Sequence, residues 1–366
     1  MMNKNCLVLL MLFSMMSFLS AKAQKKTKKV RDSTKNFQLT ALPVLFYLPE
    51  TGLGYGGLGL STFRLKGEPK SSRPSSVQLG LTFTSKKQLL FFMPYEIYSD
   101  NEKWRFIGEL GYYQYFYNYY GRGINSQEED LETYDADFPR LRFSALREIF
   151  PGVSVGMGYE FDGYHVINLA PGGLLESSNE TGKEGGTVSN LGLVSSYDTR
   201  DNIFFPTKGL FIQASTFTSV GFLGTSFSYN KFQLDARYYR QLKGNHILAG
   251  NIFFGTRSKG TPFLDLNSLG TKRTRGHNAR RFQDNAELSV VLEYRFPIAG
   301  RFGGVLFGST GTVSATLEDA FSSAYKNAVG TGLRYIVNKK EGTRIRVDYG
   351  VSSEGGQLYF TINEAF

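Results

Sequence analysis

Along much of the chain, apolar and polar residues alternate one by one. In Asn285 to Phe296, residues Ala286, Leu288, Val290, Leu292, Tyr294 and Phe296 fall on one face, and Asn285, Glu287, Ser289, Glu293 and Arg295 on the other. A period of two is the pleat of a β-strand, whose successive side chains point to opposite sides of the sheet. The same split recurs in Lys231 to Tyr239, where Phe232, Leu234, Ala236 and Tyr238 oppose Lys231, Gln233, Asp235 and Arg237, and again in Arg344 to Tyr349. A soluble sandwich and a membrane barrel both produce this alternation, so periodicity alone leaves the two open.

Strand number and length separate them. Strands are predicted near 37–47, 52–64, 75–85, 88–98, 103–117, 139–149, 153–164 and 187–197, then near 209–218, 228–241, 246–256, 285–296, 302–316, 324–336, 343–351 and 356–366. Several of these sixteen run to 11–15 residues, whereas strands of soluble sheets run to about 5–6 and a tilted membrane crossing needs about 9–11. Connections are short at 150–152, 242–245, 297–301 and 337–342 and long at 118–138, 165–186 and 257–284, the asymmetry of periplasmic turns and external loops. An even count leaves both ends of the sheet on the periplasmic side. The predicted fold class is all-β, a transmembrane antiparallel β-barrel of 16 strands formed as one domain by residues 37–366. Beyond the extreme N-terminus no apolar run reaches the ~18–20 residues of a membrane helix, which excludes a helical membrane protein.

Composition agrees. Aromatics are 15% of the chain and glycine is abundant, with 41 residues against 11 prolines, a balance that suits strands and turns over helices. Residues 1–23 carry Lys4, an apolar run from Cys6 to Leu19 and Ala21-Lys22-Ala23, the pattern of a secretory signal peptide cleaved after Ala23. The single cysteine, Cys6, leaves with it, so the mature protein is expected to have no disulfide and no cysteine metal site.

Net charge is +10, which invites a nucleic-acid reading, but its distribution argues against one. Residues 24–36 form a basic periplasmic tail with six cationic residues against Asp32, and 37–366 carry only +3. A short terminal tail of this kind is a solvated end or a contact for anionic lipid headgroups. Binding nucleic acid would conflict with export and would need a basic face within the body.

Three segments resemble a known family. Thr274-Arg275-Gly276-His277, followed by Phe282-Gln283-Asp284-Asn285 and Glu293-Tyr294-Arg295-Phe296-Pro297, resembles the Val-Arg-Gly-Phe/Tyr loop motif and following strand of the BamA/TamA surface-antigen superfamily. Tyr197-Asp198-Thr199-Arg200-Asp201 through Pro206-Thr207-Lys208-Gly209 is similar to that family's periplasmic turn, with Asp198, Arg200, Asp201, Pro206 and Gly209 as its marks. Arg346-Val347-Asp348-Tyr349-Gly350 through Phe366 is similar to its last hairpin, and Phe366 to its C-terminal assembly signal. The resemblance covers 190–366 well and 37–189 by strand pattern.

It implies a sixteen-stranded barrel whose long sixth external loop folds into the lumen, where the loop arginine meets acidic groups of the wall. Loop 257–284 is net +5, and a barrel this wide would otherwise enclose an aqueous channel, so a basic loop against an acidic wall is a sensible plug. A plain basic surface loop is the alternative. Strand parity aims Glu293 inward, and an arginine there can form two charge-assisted hydrogen bonds with it. In the family's Phe-x-Asp-x-Gly-x-Val pattern, here Phe307 to Val313, Ser309 replaces the aspartate and Gly311 is kept. The expected wall partners are therefore Glu293, Ser309 and Gly311, with Glu293 the sole acidic anchor. Only residues 24–36 precede the first strand, which suggests a barrel-only relative without POTRA domains.

Other chemistry is sparse. His165, His246 and His277 are too dispersed for one metal site or a hydrolase dyad, and Gly52-Leu53-Gly54-Tyr55-Gly56-Gly57 does not join a strand to a helix as a phosphate loop would. The acidic stretch 118–138, with Glu128, Glu129, Asp130, Glu132, Asp135 and Asp137 against Arg122, reads as a solvated loop before a cation site. No enzyme activity, metal or cofactor is expected. Pro43 lacks a ladder N–H within the first strand, and Gly355 and Gly356 open the last, so the seam between them is expected to close weakly.

The expected location is the outer membrane of a Gram-negative bacterium. Expected partners are outer-membrane lipid and lipopolysaccharide, the barrel-assembly machinery for the protein's own insertion, and a polypeptide client or periplasmic partner protein. The leading reading is a protein assembly or translocation barrel that handles a polypeptide through its lumen or lateral seam. The alternative is a small-solute channel gated by the lumenal loop.

Overall fold

The alternating segments fold into strands, and each strand pairs antiparallel with the next in sequence. The computed structural model describes residues 37–48, 52–69, 71–271, 273–339 and 341–366. The predicted signal peptide 1–23 and basic tail 24–36 lie outside the described residues. The first half supplies β1 (Phe37–Leu48), β2 (Gly52–Phe63), β3 (Ser75–Thr84), β4 (Leu89–Ser99), β5 (Trp104–Tyr119), β6 (Glu132–Phe150), β7 (Val153–Ile167) and β8 (Gly186–Asp198). The second supplies β9 (Gly209–Ser219), β10 (Asn230–Gln241), β11 (Ile247–Arg257), β14 (Ala286–Ala299), β15 (Phe302–Ser314), β16 (Lys326–Ile336), β17 (Arg344–Ser352) and β18 (Gly355–Ile362). These sixteen form one sheet in chain order, and a separate small hairpin, β12 (Asn267–Ser268) with β13 (Gln283–Asp284), sits within the loop between β11 and β14.

Burial resolves the ambiguity that alternation left. On β14, Leu292 is 57% exposed while its neighbours Glu293 and Arg295 are 1% and 2% exposed. Val329, Leu333, Leu193 and Ile252 likewise face outward, and Arg334, Arg346, Asp348 and Asn251 are buried. A water-soluble sheet would do the reverse. An oily outside around a polar inside is the arrangement of a strand-built membrane barrel, in which each backbone polar group is satisfied within the sheet.

The ends of the sheet approach each other. Ile362 of β18 packs with Leu58 and Leu60 of β2 and against Leu42 and Val44 of β1, and the Asn338 amide donates to Gln38 Oε1 on β1. Among the described residues, no ladder register joins β1 to β18. Pro43 lies inside β1 opposite Gly57. Pro297 sits where the β14–β15 register shifts, the kind of bulge at which a residue without an N–H is tolerated.

The structure corrects the sequence reading in three places. Strand β6 begins at Glu132, seven residues before the predicted 139, and residues taken for a solvated loop are ordered. Glu132 accepts from the N–H groups of Leu174 and Leu175 at 2.6 Å each, Asp135 accepts from Asn168 Nδ2 at 2.7 Å, and Asp137 lies 3.3 Å from His165 Nδ1. The Glu132 and Asp135 carboxylates hold the next external connection against the wall, and Asp137 meets β7. The last strand stops at Ile362; Asn363 N–H still donates to Arg344 O on β17 at 2.8 Å, and Phe366 ends against Tyr239, Ala249 and Val291. The small β12–β13 hairpin, too short to show a period, was also missed.

Candidate functional site

The connection between β11 and β14 runs along the wall in two contrasting parts. Its first part packs Phe263, Leu264 and Leu266 into an aromatic cluster with Tyr119, Tyr134, Phe138, Tyr164 and Tyr229. Asp265 in this segment lies 3.4 Å from Lys231 Nζ and 3.6 Å from Arg257 Nη2. Burial alone would raise its carboxyl pKa, but Lys231 and Arg257 outweigh that and hold it well below the ordinary range. The β12–β13 pair then turns the chain back, aided by Leu269 N–H donating to Phe282 O at 3.0 Å.

The second part carries the basic motif. Thr274 Oγ1 accepts from Gly270 N–H at 3.1 Å and closes a tight turn that presents the next residue to the wall. Arg275 is fully buried. Its Nη2 donates to Glu293 Oε1 on β14 and its Nη1 to Asp348 Oδ2 on β17, while the guanidinium lies 3.7 Å over the Phe307 ring on β15. Gly276 follows at φ +112°, where a Cβ would approach Ala328 Cβ to 2.9 Å. Glycine is needed here twice over, for its dihedral and for its closeness to the wall. Its N–H donates to Tyr359 Oη and its carbonyl accepts from Ser352 Oγ, both at 2.9 Å. His277 Nδ1 lies 3.0 Å from Glu354 Oε2, and its ring meets Phe282 edge-on. Burial would raise the Glu354 carboxyl, but the hydrogen bond and charge of His277 bring it below its ordinary value.

This geometry corrects the expectation of a single acidic anchor. Asp348, within the Arg346–Gly350 segment, supplies the second carboxylate. Arg275 therefore spans two wall strands with one nitrogen on each acid, where a two-pronged pair with Glu293 alone was expected. Ser309 is buried and its hydroxyl finds no hydrogen-bond partner among the described residues. Gly311 leaves room for the loop, since a Cβ there would stand 2.9 Å from Leu269 Cδ2. Two wall residues not expected as partners of the loop complete the surroundings: Arg295, read in the sequence only for its strand face and motif, has Nη2 2.7 Å from Glu293 Oε2, and Arg334 Nη1 pairs with Asp348 Oδ1. Inward parity on β14 and β16 was the signal that could have found them.

At the periplasmic end a second set of contacts crosses the lumen. Arg200 donates to both oxygens of Asp198, at 2.9 and 2.8 Å, and Arg73, from the β2–β3 turn, reaches the same carboxylate at 2.6 Å. Asp201 accepts from the Thr207 N–H at 2.8 Å and ties off the turn containing buried Pro206. Gly209 has φ +111°, and a Cβ there would run into the Thr199 carbonyl. The turn extends to the opposite wall, where Asn202 Nδ2 donates to Glu341 O at 3.1 Å and Arg344 lies 2.9 Å over Phe205. Phe366 is buried with Tyr239, Ala249 and Val291, and its carbonyl accepts from Arg295 Nη2 at 3.3 Å. A cavity of about 140 Å³ remains between Arg200, Phe204, Arg237 and residues 363–366. Among the described residues no three His, Cys, Asp or Glu side chains are grouped to hold a metal.

Two solved structures share this architecture. BamA from Haemophilus ducreyi lacking POTRA domains 1–3 is 14% identical over 89% of this chain and 69% of that one, with a TM-score of 0.54. CdiB from Acinetobacter baumannii is 13% identical over 90% of this chain and 60% of that one, with a TM-score of 0.57. At such identity the likeness speaks for the fold. No curated protein sequence matches the chain. The Omp85 superfamily domain matches residues 72–366, which include the loop motif, the periplasmic turn and the last hairpin. This chain therefore belongs to the Omp85 superfamily and is an outer-membrane β-barrel of a Gram-negative bacterium.

Proposed function

We propose that the barrel handles a polypeptide client, with the seam between β1 and β18 as the place of engagement and the lumenal loop as its internal brace. The observation that supports this reading is the meeting of the first and last strands at one seam, beside a lumen into which the loop and the periplasmic turn both reach. The loop occupies the wall from the aromatic cluster to Arg275, and the turn after β8 with residues 363–366 occupies the periplasmic mouth. At the seam, β1 and β18 are the first and last strands of the sheet, and their side chains meet around Ile362. When the two strands part, the backbone N–H and C=O groups freed on each edge are a template for an added strand. The mechanism is physical, through pairing and release of strands, and calls for no covalent catalysis.

Membership of an assembly and translocation superfamily supports this reading, while the client is identified by experiment. Deletion of the gene, followed by quantitative measurement of the other outer-membrane proteins, is expected to lower one or a few barrels or secreted chains. An unchanged outer-membrane proteome, together with loss of uptake of a small solute, would favour the channel reading.

A further inference from the structure

Six of the charged side chains around the loop form a closed ring. Arg275 pairs with Glu293, Glu293 with Arg295 at 2.7 Å, Arg295 with Glu364 at 4.0 Å, Glu364 with Arg334 at 2.8 Å, Arg334 with Asp348, and Asp348 with Arg275 again. Cations and anions alternate around it. Four of the six belong to wall strands: Glu293 and Arg295 to β14, Arg334 to β16 and Asp348 to β17. The other two do not. Arg275 comes from the external loop and Glu364 from the segment that follows β18 and turns into the lumen.

We propose that Glu364 is a positioning residue for Arg275, so that seating of segment 363–366 in the periplasmic end of the lumen secures the external loop through this ring. The argument rests on charge balance in a water-poor space. Arg346 Nε also lies 3.4 Å from Asp348 Oδ2, so four guanidinium groups share three side-chain carboxylates, with the Phe366 main-chain oxygen as a further acceptor for Arg295. Withdrawing Glu364 leaves four on two. Unpaired buried charge is strongly unfavourable, and the imbalance is relieved most readily by the arginine that can return to water. Arg295, Arg334 and Arg346 are built into strands with ladder partners on both sides. Arg275 rides on a connection and can leave with it. Relations of this kind are reciprocal: removing Arg275 frees Glu293 and Asp348 to draw Arg295 and Arg334 away from Glu364, loosening the segment.

This inference goes beyond the proposed client handling and does not depend on it, since no client takes part in the ring. The test uses the purified full-length barrel in detergent, with heat-modifiable gel migration confirming that each variant is folded. Trypsin cleavage after Arg273, Arg280 or Arg281 reports loop release. Glu364→Gln is expected to raise the initial cleavage rate roughly tenfold, the size typical of coupling within one ion-pair network. Adding Arg334→Gln restores the balance of charge and should return the rate most of the way to that of the parent. An unchanged rate in Glu364→Gln overturns the proposal. So does a double variant that is cleaved faster than the single, because a plain packing role for these side chains would make the losses accumulate. A second readout keeps Glu364 in place: with Ala365→Cys, alkylation by a bulky maleimide should speed up several-fold when Arg275→Ala is added, and an unchanged alkylation rate would defeat the reciprocal half of the claim.

Discussion

Arg275 connects strands three places apart in the sheet, so its two carboxylates are unequal substitutes for each other. Glu293 is shared with Arg295, and Asp348 with Arg334 and, more distantly, Arg346. Removing one member of such a buried set costs about 3–5 kcal/mol when the partner is left uncompensated. Arg275→Ala, Glu293→Gln and Asp348→Asn are each expected to raise protease access to the loop, and pairing Arg275→Ala with either acid variant should be no worse than the more severe single. Additive effects would show that the three side chains do not act as a unit. The neighbouring pair offers a pH test. Glu354 has a depressed pKa in the folded protein, so the stability it lends to the loop is present above its unfolded value of about 4.3 and is lost as pH falls through the folded value. Pepsin access to the loop should rise in that acid range, with a smaller pH response in Glu354→Gln; an identical profile would remove Glu354 from the account.

At the scale of elements, the two parts of the loop weigh the same forces differently. Phe263–Leu266 joins by apolar burial against Tyr119, Tyr134 and Phe138 together with the Asp265 ion pairs, and residues 273–277 join through ion pairs and backbone fit. At the seam, Ile362 of β18 packs beside Leu42 and Val44 of β1, and the Asn338 side chain reaches Gln38 on β1. Pro43 deprives β1 of one donor, and Gly355, at φ +108°, begins a last strand of eight residues. Cysteine pairs placed across β1 and β18 are expected to cross-link in several registers, as a loosely paired boundary should, and to abolish the function found by gene deletion. Efficient cross-linking with full function would point to a static barrel.

For the whole molecule, the consequence is a lumen occupied from both ends. A sixteen-stranded barrel left empty would conduct ions freely. Here the loop fills the space beside the wall, and Arg73, Asp198, Arg200 and Phe366 bring the β2–β3 turn, the turn after β8 and the last residues together at the periplasmic mouth. In a planar bilayer the parent protein should therefore show little steady conductance, and Arg275→Ala should produce brief, large openings. A stable, ion-selective current from the parent would reverse the preference between the two functional readings.

Alternation such as that of Asn285 to Phe296 determines a strand and its two faces locally, because the pleat has a period of two wherever it occurs. The number and length of such segments determined the sheet, and the motif around Arg275 marked the loop. Face polarity had to wait for tertiary structure, since oily and charged faces look alike in sequence whether the oil meets a core or a lipid. The partner of Arg275 was also decided there. Asp348 lies 73 residues further along the chain and reaches the guanidinium only because two intervening strands set the width of the wall between β14 and β17. Glu364 joins the same group only because the chain leaves the sheet after Ile362 and turns inward. Strand pairing depends on neighbours in sequence, whereas closure of a charge ring depends on curvature accumulated over the whole sheet.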